Sequence, residues 1–191
     1  MIKLNKTALN ILKTWIPLAV VITCLSGLIY LTVQQDIRIG ANDPQIQIAE
    51  DLTNQLSSGQ NPQNLIPPTK IDMSKSLATY IMVFDKDGKV IGSSVSLDGK
   101  DPLLPQGVFA STKKSATDET RFTWQPKNGV RSAVVIDYYK GPIPGFILIG
   151  RSLREVEIRE SQQETIVFLG WAATMFFSLL SVVMVTKIKW L

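Results

Sequence analysis

Two long uncharged stretches constrain this chain more than any other feature. They run from Thr14 to Gln35 and from Thr165 to Thr186, and neither contains Asp, Glu, Lys or Arg. A helix that crosses the bilayer core takes about 20 mostly apolar residues, and each stretch is at least that long. We therefore predict transmembrane helices at 14–35 and 165–186. The 191-residue chain leaves room for one folded domain between them, at 36–164.

The charges are divided sharply between the ends and the middle of the chain. All 16 acidic residues lie between the two stretches, whereas lysines flank their outer sides at positions 3, 6, 13, 187 and 189. Cytoplasmic flanks of membrane helices carry the excess of Lys and Arg. We therefore expect residues 1–13 and 187–191 in the cytoplasm, 36–164 outside the cell membrane, and no nucleic-acid partner, because no basic face marks the middle segment.

The N-terminal stretch has a rival interpretation as a cleaved signal peptide. It is longer than a typical signal-peptide core, and no small-x-small cleavage site follows it. We therefore favour an uncleaved anchor. Cys24, the only cysteine of the chain, lies inside this stretch, so the middle segment must fold without a disulfide.

The middle segment alternates between helix and strand signals. Asn42-Asp43-Pro44 predicts a helix start, because a capping side chain precedes proline in the first turn, and apolar residues then recur at helical spacing to residue 57. β-prone runs lie at 79–85, 89–95, 119–125, 130–139 and 145–150, joined by short turns such as Asp87-Gly88. Helices are predicted at 71–78 and 105–114. The fold class is therefore α+β, with a five-stranded antiparallel sheet and flanking helices.

The last strand leads directly into the second membrane stretch. Ser152-Leu-Arg-Glu155 has the pattern of a capping box, in which Ser152 and Glu155 satisfy early backbone N–H groups of a helix. No Gly or Pro interrupts residues 153–164, so the helix can continue into 165–186. We expect this junction, at Ser152 and Glu155, to pass movements of the strand to the membrane helix.

This order of elements between two membrane spans resembles the extracytoplasmic PAS-like or single-Cache sensor domains of bacterial signalling receptors. Residues 80–94 (YIMVFDKDGKVIGSS) resemble the first hairpin of such sensors, and residues 145–155 (GFILIGRSLRE) resemble their last strand and signalling helix. The resemblance implies a small ligand beside the sheet and a cytoplasmic output module. Only five residues follow the second stretch, so signalling would need a partner protein or a second copy of the chain.

A set of aromatic and arginine side chains on the last three strands is the candidate ligand site. In a PAS-like fold this part of the sheet lines the cleft, and guanidinium groups form bidentate pairs with carboxylates. We therefore expect a small carboxylate ligand near Trp124, Arg131, Tyr138, Tyr139 and Arg151. Strand alternation places Tyr138 and Tyr139 on opposite faces, so only one of them can enter a cleft.

Enzymatic chemistry finds little support in the sequence. The chain has no histidine, its cysteine lies in a membrane stretch, and no glycine-rich phosphate loop or metal-ligand cluster is evident. We expect no catalytic residues, no metal and no cofactor. Two functions remain open: an outer sensing or ligand-binding domain, or a structural accessory subunit whose outer domain docks another protein. An open, polar-rimmed cleft beside the sheet, reached by Arg131 or Arg151, would favour the first, and a cleft filled by Phe, Met and Trp the second.

Overall fold

The computed structural model describes residues 6–41 and 43–188. The predicted cap Asn42, and the lysines at positions 3 and 189 used to orient the chain, lie outside the described residues. The chain divides into two compact units. One comprises residues 38–157, called the domain below. The other comprises the residues up to 37 and from 158 onward, called the helix pair below.

The four α-helices and the five strands of the main sheet follow the predicted order, whereas residues 71–78 and the short strands near them do not. The helices are α1 (Lys6–Gly40), α2 (Asp43–Ser57), α3 (Gln106–Lys114) and α4 (Arg154–Ile188), with a short 3-10 helix at Pro62–Leu65. The strands are β1 (Ile71–Asp72), β2 (Tyr80–Asp85), β3 (Val90–Ser93), β4 (Val95–Ser96), β5 (Glu119–Lys127), β6 (Val130–Tyr139) and β7 (Gly145–Ser152).

Five of these strands form one antiparallel sheet in the order β3-β2-β7-β6-β5. The prediction of an α+β domain with a five-stranded antiparallel sheet and flanking helices is confirmed. The last strand, β7, lies in the centre, with β2 on one side and β6 on the other. Six consecutive residues of β7, Gly145 to Gly150, are buried, because helices or loops cover both faces of the sheet there.

The helix predicted at 71–78 is wrong. Ile71 and Asp72 instead form β1, which pairs in parallel with β4 in a separate two-stranded sheet. The carboxylate of Asp72 accepts hydrogen bonds from the N–H and the hydroxyl of Ser74, at 3.0 and 2.6 Å. Such local bonds offer the backbone an alternative to a helix, so the segment turns after two residues.

Each face of the main sheet has its own hydrophobic core. Helix α3 and the β1–β4 region cover one face, called the α3 face, where Met82, Phe84, Phe109, Phe146 and Leu148 are buried together. Helix α2 covers the opposite face, called the α2 face. The core of the α2 face consists of Ala49, Leu56, Val83, Val135, Tyr139, Ile147 and Ile149. The helix signal at 43–57 and the strand alternation together account for this second core.

The helix pair consists of α1 up to Ile37 and α4 from Ile158. Both helices are long and apolar enough to cross a membrane, by length and composition. Each extends beyond the stretch predicted to span, because the polar flanks contain no helix breaker. Three side-chain hydrogen bonds join the two helices: Trp15 Nε1 to Ser178 Oγ (3.1 Å), Trp171 Nε1 to Thr23 Oγ1 (3.1 Å) and Tyr30 Oη to Glu164 Oε1 (2.9 Å).

These three bonds form a regular ladder, called the polar ladder below. Along α1 they fall at residues 15, 23 and 30, and along α4 at 178, 171 and 164. The helices therefore run antiparallel, and the spacing of seven or eight residues is two helical turns. A seam that recurs every seven residues is typical of helices packed at a shallow crossing angle.

Candidate functional site

An open groove lies on the α2 face, between α2 and the edge formed by β5 and β6. Its volume is about 610 Å³, within the range of about 300–1,000 Å³ that is usual for small-molecule sites. Helix α2 contributes Glu50, Thr53, Asn54 and Ser57; the strands and their connections contribute Thr117, Asp118, Glu119, Asp137, Tyr138, Tyr139 and Lys140.

Helix periodicity explains why α2 presents polar groups to this groove. Residues 50, 53, 54 and 57 recur at helical spacing and form one stripe along the helix. The neighbouring stripe contains Ala49 and Leu56, which are buried against the sheet. One flank of α2 therefore supplies the hydrophobic core, and the adjacent flank supplies a carboxylate, a hydroxyl and an amide to the groove.

Asp137 is the most unusual residue of the groove. It lies on β6 between apolar neighbours and is only 7% exposed. Its Oδ2 accepts a hydrogen bond from Thr53 Oγ1 at 3.1 Å, whereas its Oδ1 is buried without a hydrogen-bond partner among the described residues. Burial is the main cause that raises the pKa of Asp137 to about 6, and the negative charges of Glu119 and Glu50 add to it.

The remaining charges of the groove are only partly balanced. Lys140 Nζ lies 2.5 Å from Asp118 Oδ2, and the Arg121 guanidinium pairs with Glu119. Hydrogen bonding to Glu119 raises the pKa of Arg121. Among the described residues, Glu50 and Asp137 form no salt bridge, although the Arg121 guanidinium lies near enough to attract both carboxylates. Four carboxylates against Lys140 and Arg121 leave the groove with net negative charge.

The five residues predicted as a ligand site do not form one cluster. Trp124 and Tyr138 belong to the core of the α3 face, where Trp124 is only 5% exposed. Tyr139 belongs to the opposite core, and strand alternation places Arg131 and Arg151 on its side of the sheet. The predicted separation of Tyr138 and Tyr139 onto opposite faces is confirmed. Both residues nevertheless line part of the groove, contrary to the expectation that only one of them could enter a cleft.

The two arginines are placed differently from the expectation. Arg131 pairs through its guanidinium with Glu157 in the first turn of α4. Arg151 is half-buried near the end of β7, opposite Ala133 of β6. Neither arginine lines the groove, so the carboxylate-binding arrangement expected from the sequence is not assembled there.

The junction between β7 and α4 is short. Only Leu153 separates the last residue of β7 from the first residue of α4. The Ser152 hydroxyl accepts a hydrogen bond from the Arg154 N–H at 3.3 Å, so Ser152 lies one position before the cap. The Glu155 carboxylate accepts no hydrogen bond among the described residues, so the reciprocal half of the predicted capping box is not formed.

Arg154 anchors the junction in a way that the sequence did not reveal. Its Nη2 donates to the backbone oxygen of Lys75 at 2.9 Å, and its Nη1 to that of Ser74 at 3.4 Å. Together with the Arg131–Glu157 pair, these bonds attach the first turn of α4 to the domain at two places.

The acidic groove was not predicted from the sequence. Its carboxylates come from α2, from the turn before β5 and from the strands, so they appear scattered along the chain. One signal was present: Asp137 is the single charge within the otherwise apolar run from Ala133 to Tyr139. A charged residue within a buried strand is uncommon unless it is paired or functional.

The described residues contain no group of three or more His, Cys, Asp or Glu side chains placed to hold a metal ion. Comparison of the chain with protein-family models, with curated proteins and with solved structures gives no match.

Proposed function

We propose that this protein is a membrane-anchored sensor of the PAS-like or single-Cache type. Its domain binds a small ligand outside the cell, and both ends of the chain lie in the cytoplasm. The protein is not an enzyme, and it acts through a partner protein or a second copy of itself. The observation that carries the proposal is the open groove on the sheet, next to strands that lead to a membrane-length helix.

The connection from groove to helix supports the sensing role. Asp137 lies on β6, which pairs along its length with β7. Strand β7 is followed after one residue by α4, a single helix of 35 residues that contains the second apolar stretch. A ligand that binds the domain in one of two conformations shifts their populations in proportion to its difference in affinity. In this proposal, α4 transmits that shift.

A distance measurement in the full chain tests the proposal. The chain is placed in lipid nanodiscs with Cys24→Ser, and spin labels are attached at the exposed positions Ile29→Cys and Ile166→Cys. Compounds that raise the melting temperature of the domain are then added. We expect such a compound to change the distance distribution between the labels.

The control is an insertion of three glycines after Arg159, which interrupts α4 beyond the domain. This variant should bind the same compound without any change in label distance. A compound that binds tightly and still leaves the label distance unchanged, both in the labelled chain and in the glycine-insertion variant, would contradict the sensing role.

The second candidate is a structural accessory subunit whose domain docks another protein. The observation that favours it is the α3 face, which is filled by aromatic rings. Phe109 packs edge-on against Phe84 and Phe146, with ring centroids 5.1 and 5.0 Å apart, and Trp124 is buried in the same core. This candidate predicts that no small molecule stabilises the domain and that a defined membrane protein co-purifies with the chain.

A further inference from the structure

We infer that the groove between α2 and the β5–β6 edge binds an organic cation, with the ligand's ammonium group held against the carboxylate of Asp137. This inference rests on the proposed ligand-binding function and names the chemical class of the ligand. It replaces the carboxylate ligand expected from the sequence.

The charge balance of the groove is the first argument. Asp118 and Glu119 form salt bridges with Lys140 and Arg121, whereas Glu50 and Asp137 form none among the described residues. Arg121 attracts these two carboxylates as well, but two basic groups against four carboxylates leave net negative charge. A carboxylate ligand would meet this unbalanced negative charge and be repelled. A cation would be attracted, because a cleft lined by one sign of charge concentrates ions of the opposite sign.

The state of Asp137 is the second and independent argument. The residue is more than nine-tenths buried, and Oδ1 has no hydrogen-bond partner within the part of the chain that the structure describes. Burying a carboxylate without a partner is costly, whereas a paired and hydrogen-bonded carboxylate is not. An ammonium group supplies both the charge and the N–H donors that Asp137 lacks. Thr53 already orients the other oxygen.

The rest of the lining fits a small organic ion better than a bare metal ion. The hydroxyl and amide groups of Thr53, Asn54 and Ser57 on α2 lie beside the carboxylates, which suits a ligand with further polar groups. The described residues offer no metal-holding cluster. The groove volume of about 610 Å³ also exceeds what a single ion fills.

The test is calorimetric titration of the full chain in detergent micelles at pH 7.5 and constant ionic strength. The probes are n-butylamine, 1,4-diaminobutane and ethanolamine, with n-butanol and succinate as the neutral and anionic counterparts. We expect saturable binding of at least one amine and none of n-butanol or succinate. Binding should weaken at pH 4.5, because Asp137 is then protonated and no longer attracts the ammonium group. The groups that face Asp137 are Thr53, Glu50, Glu119 and Arg121.

Two groove variants and one matched control make the test specific. Asp137→Asn should weaken amine binding about tenfold or more, and Glu50→Gln should weaken it less, because Glu50 is exposed. Asp98→Asn removes the same charge outside the groove, where Asp98 pairs with Lys127, and should leave binding unchanged. Circular dichroism confirms that each variant is folded.

The outcomes separate this inference from the function on which it rests. Binding of succinate but of no amine, unaffected by Asp137→Asn, would overturn the cation inference and leave the ligand-binding function standing. Amine binding that falls equally in the Asp98→Asn control would show nonspecific attraction and overturn the inference. Absence of binding by every probe class, together with no stabilising compound in a broad screen, would overturn both.

Discussion

Replacing Asp137 by asparagine removes a negative charge that the domain largely buries in the wall of an open groove. The pKa of this carboxyl rises from its ordinary value of 3.8 to about 6 on folding. One pKa unit corresponds to about 1.4 kcal/mol, so the full shift corresponds to about 3 kcal/mol. Because water in the open groove screens part of this charge, we expect Asp137→Asn to raise the free energy of unfolding by about 2 kcal/mol. Asparagine can still accept the hydrogen bond from Thr53.

The sign follows from the direction of the shift. Below pH 3.8 the carboxyl is neutral in both the folded and the unfolded chain, and Asp137 costs nothing. Between pH 3.8 and 6 the unfolded chain ionises first, so the wild-type domain loses stability as the pH rises. The cost is complete above about pH 6. Asp137→Asn should therefore stabilise the domain at pH 7.5 and leave its stability at pH 3.5 nearly unchanged.

Urea unfolding of the full chain in micelles measures this difference. Trp124 is the reporter, in a background where the other three tryptophans are phenylalanine. Thr53→Val is a useful companion, because it removes the hydrogen bond and should destabilise the domain more when Asp137 is ionised. If Asp137→Asn destabilises the domain equally at both pH values, the carboxylate is already well compensated, and the reasoning about an unpaired charge fails.

Two further predictions concern a close contact in the domain and a hydrogen bond in the helix pair. Gly150→Ala should destabilise the domain by about 1–3 kcal/mol in urea unfolding, because the new methyl group would lie 2.2 Å from the buried Tyr80 ring; Gly107→Ala, which meets no atom within 4 Å, should be neutral or stabilising. Ser178→Ala should weaken the helix pair by about 0.6 kcal/mol, measured by steric trapping, whereas Ser181→Ala, whose hydroxyl bonds within its own helix, should not.

The strands were predictable because their signals are local. β-branched and aromatic runs separated by Asp87-Gly88 or Asn128-Gly129 specify hairpins within a few residues. The order of the strands was not predictable in this way. The pairing of β2 with β7, from Tyr80↔Gly150 to Asp85↔Gly145, joins distant parts of the chain, and it depends on how both faces of the sheet are covered.

The candidate site was harder to predict than the fold. Alternation correctly separated Tyr138 from Tyr139, but nothing in the strands indicates which face α2 covers. Arg131 carries the charge that a carboxylate ligand needs, but in the fold its guanidinium pairs with the Glu157 side chain instead. This pairing could not be read from the sequence. Asp137 was the better clue, because a lone carboxylate in an apolar strand requires an explanation that no periodicity supplies.

The polar ladder limits how the two long helices can move past each other. Sliding one helix along its axis by a single turn, about 5.4 Å, would separate all three donor–acceptor pairs together. Rotations and small tilts can bend the same bonds one at a time. Displacement along the axis therefore opposes three bonds of about 0.6 kcal/mol each at the same time, whereas tilting strains them one at a time. A signal carried by this pair would accordingly travel as a change of tilt or rotation rather than as a piston stroke.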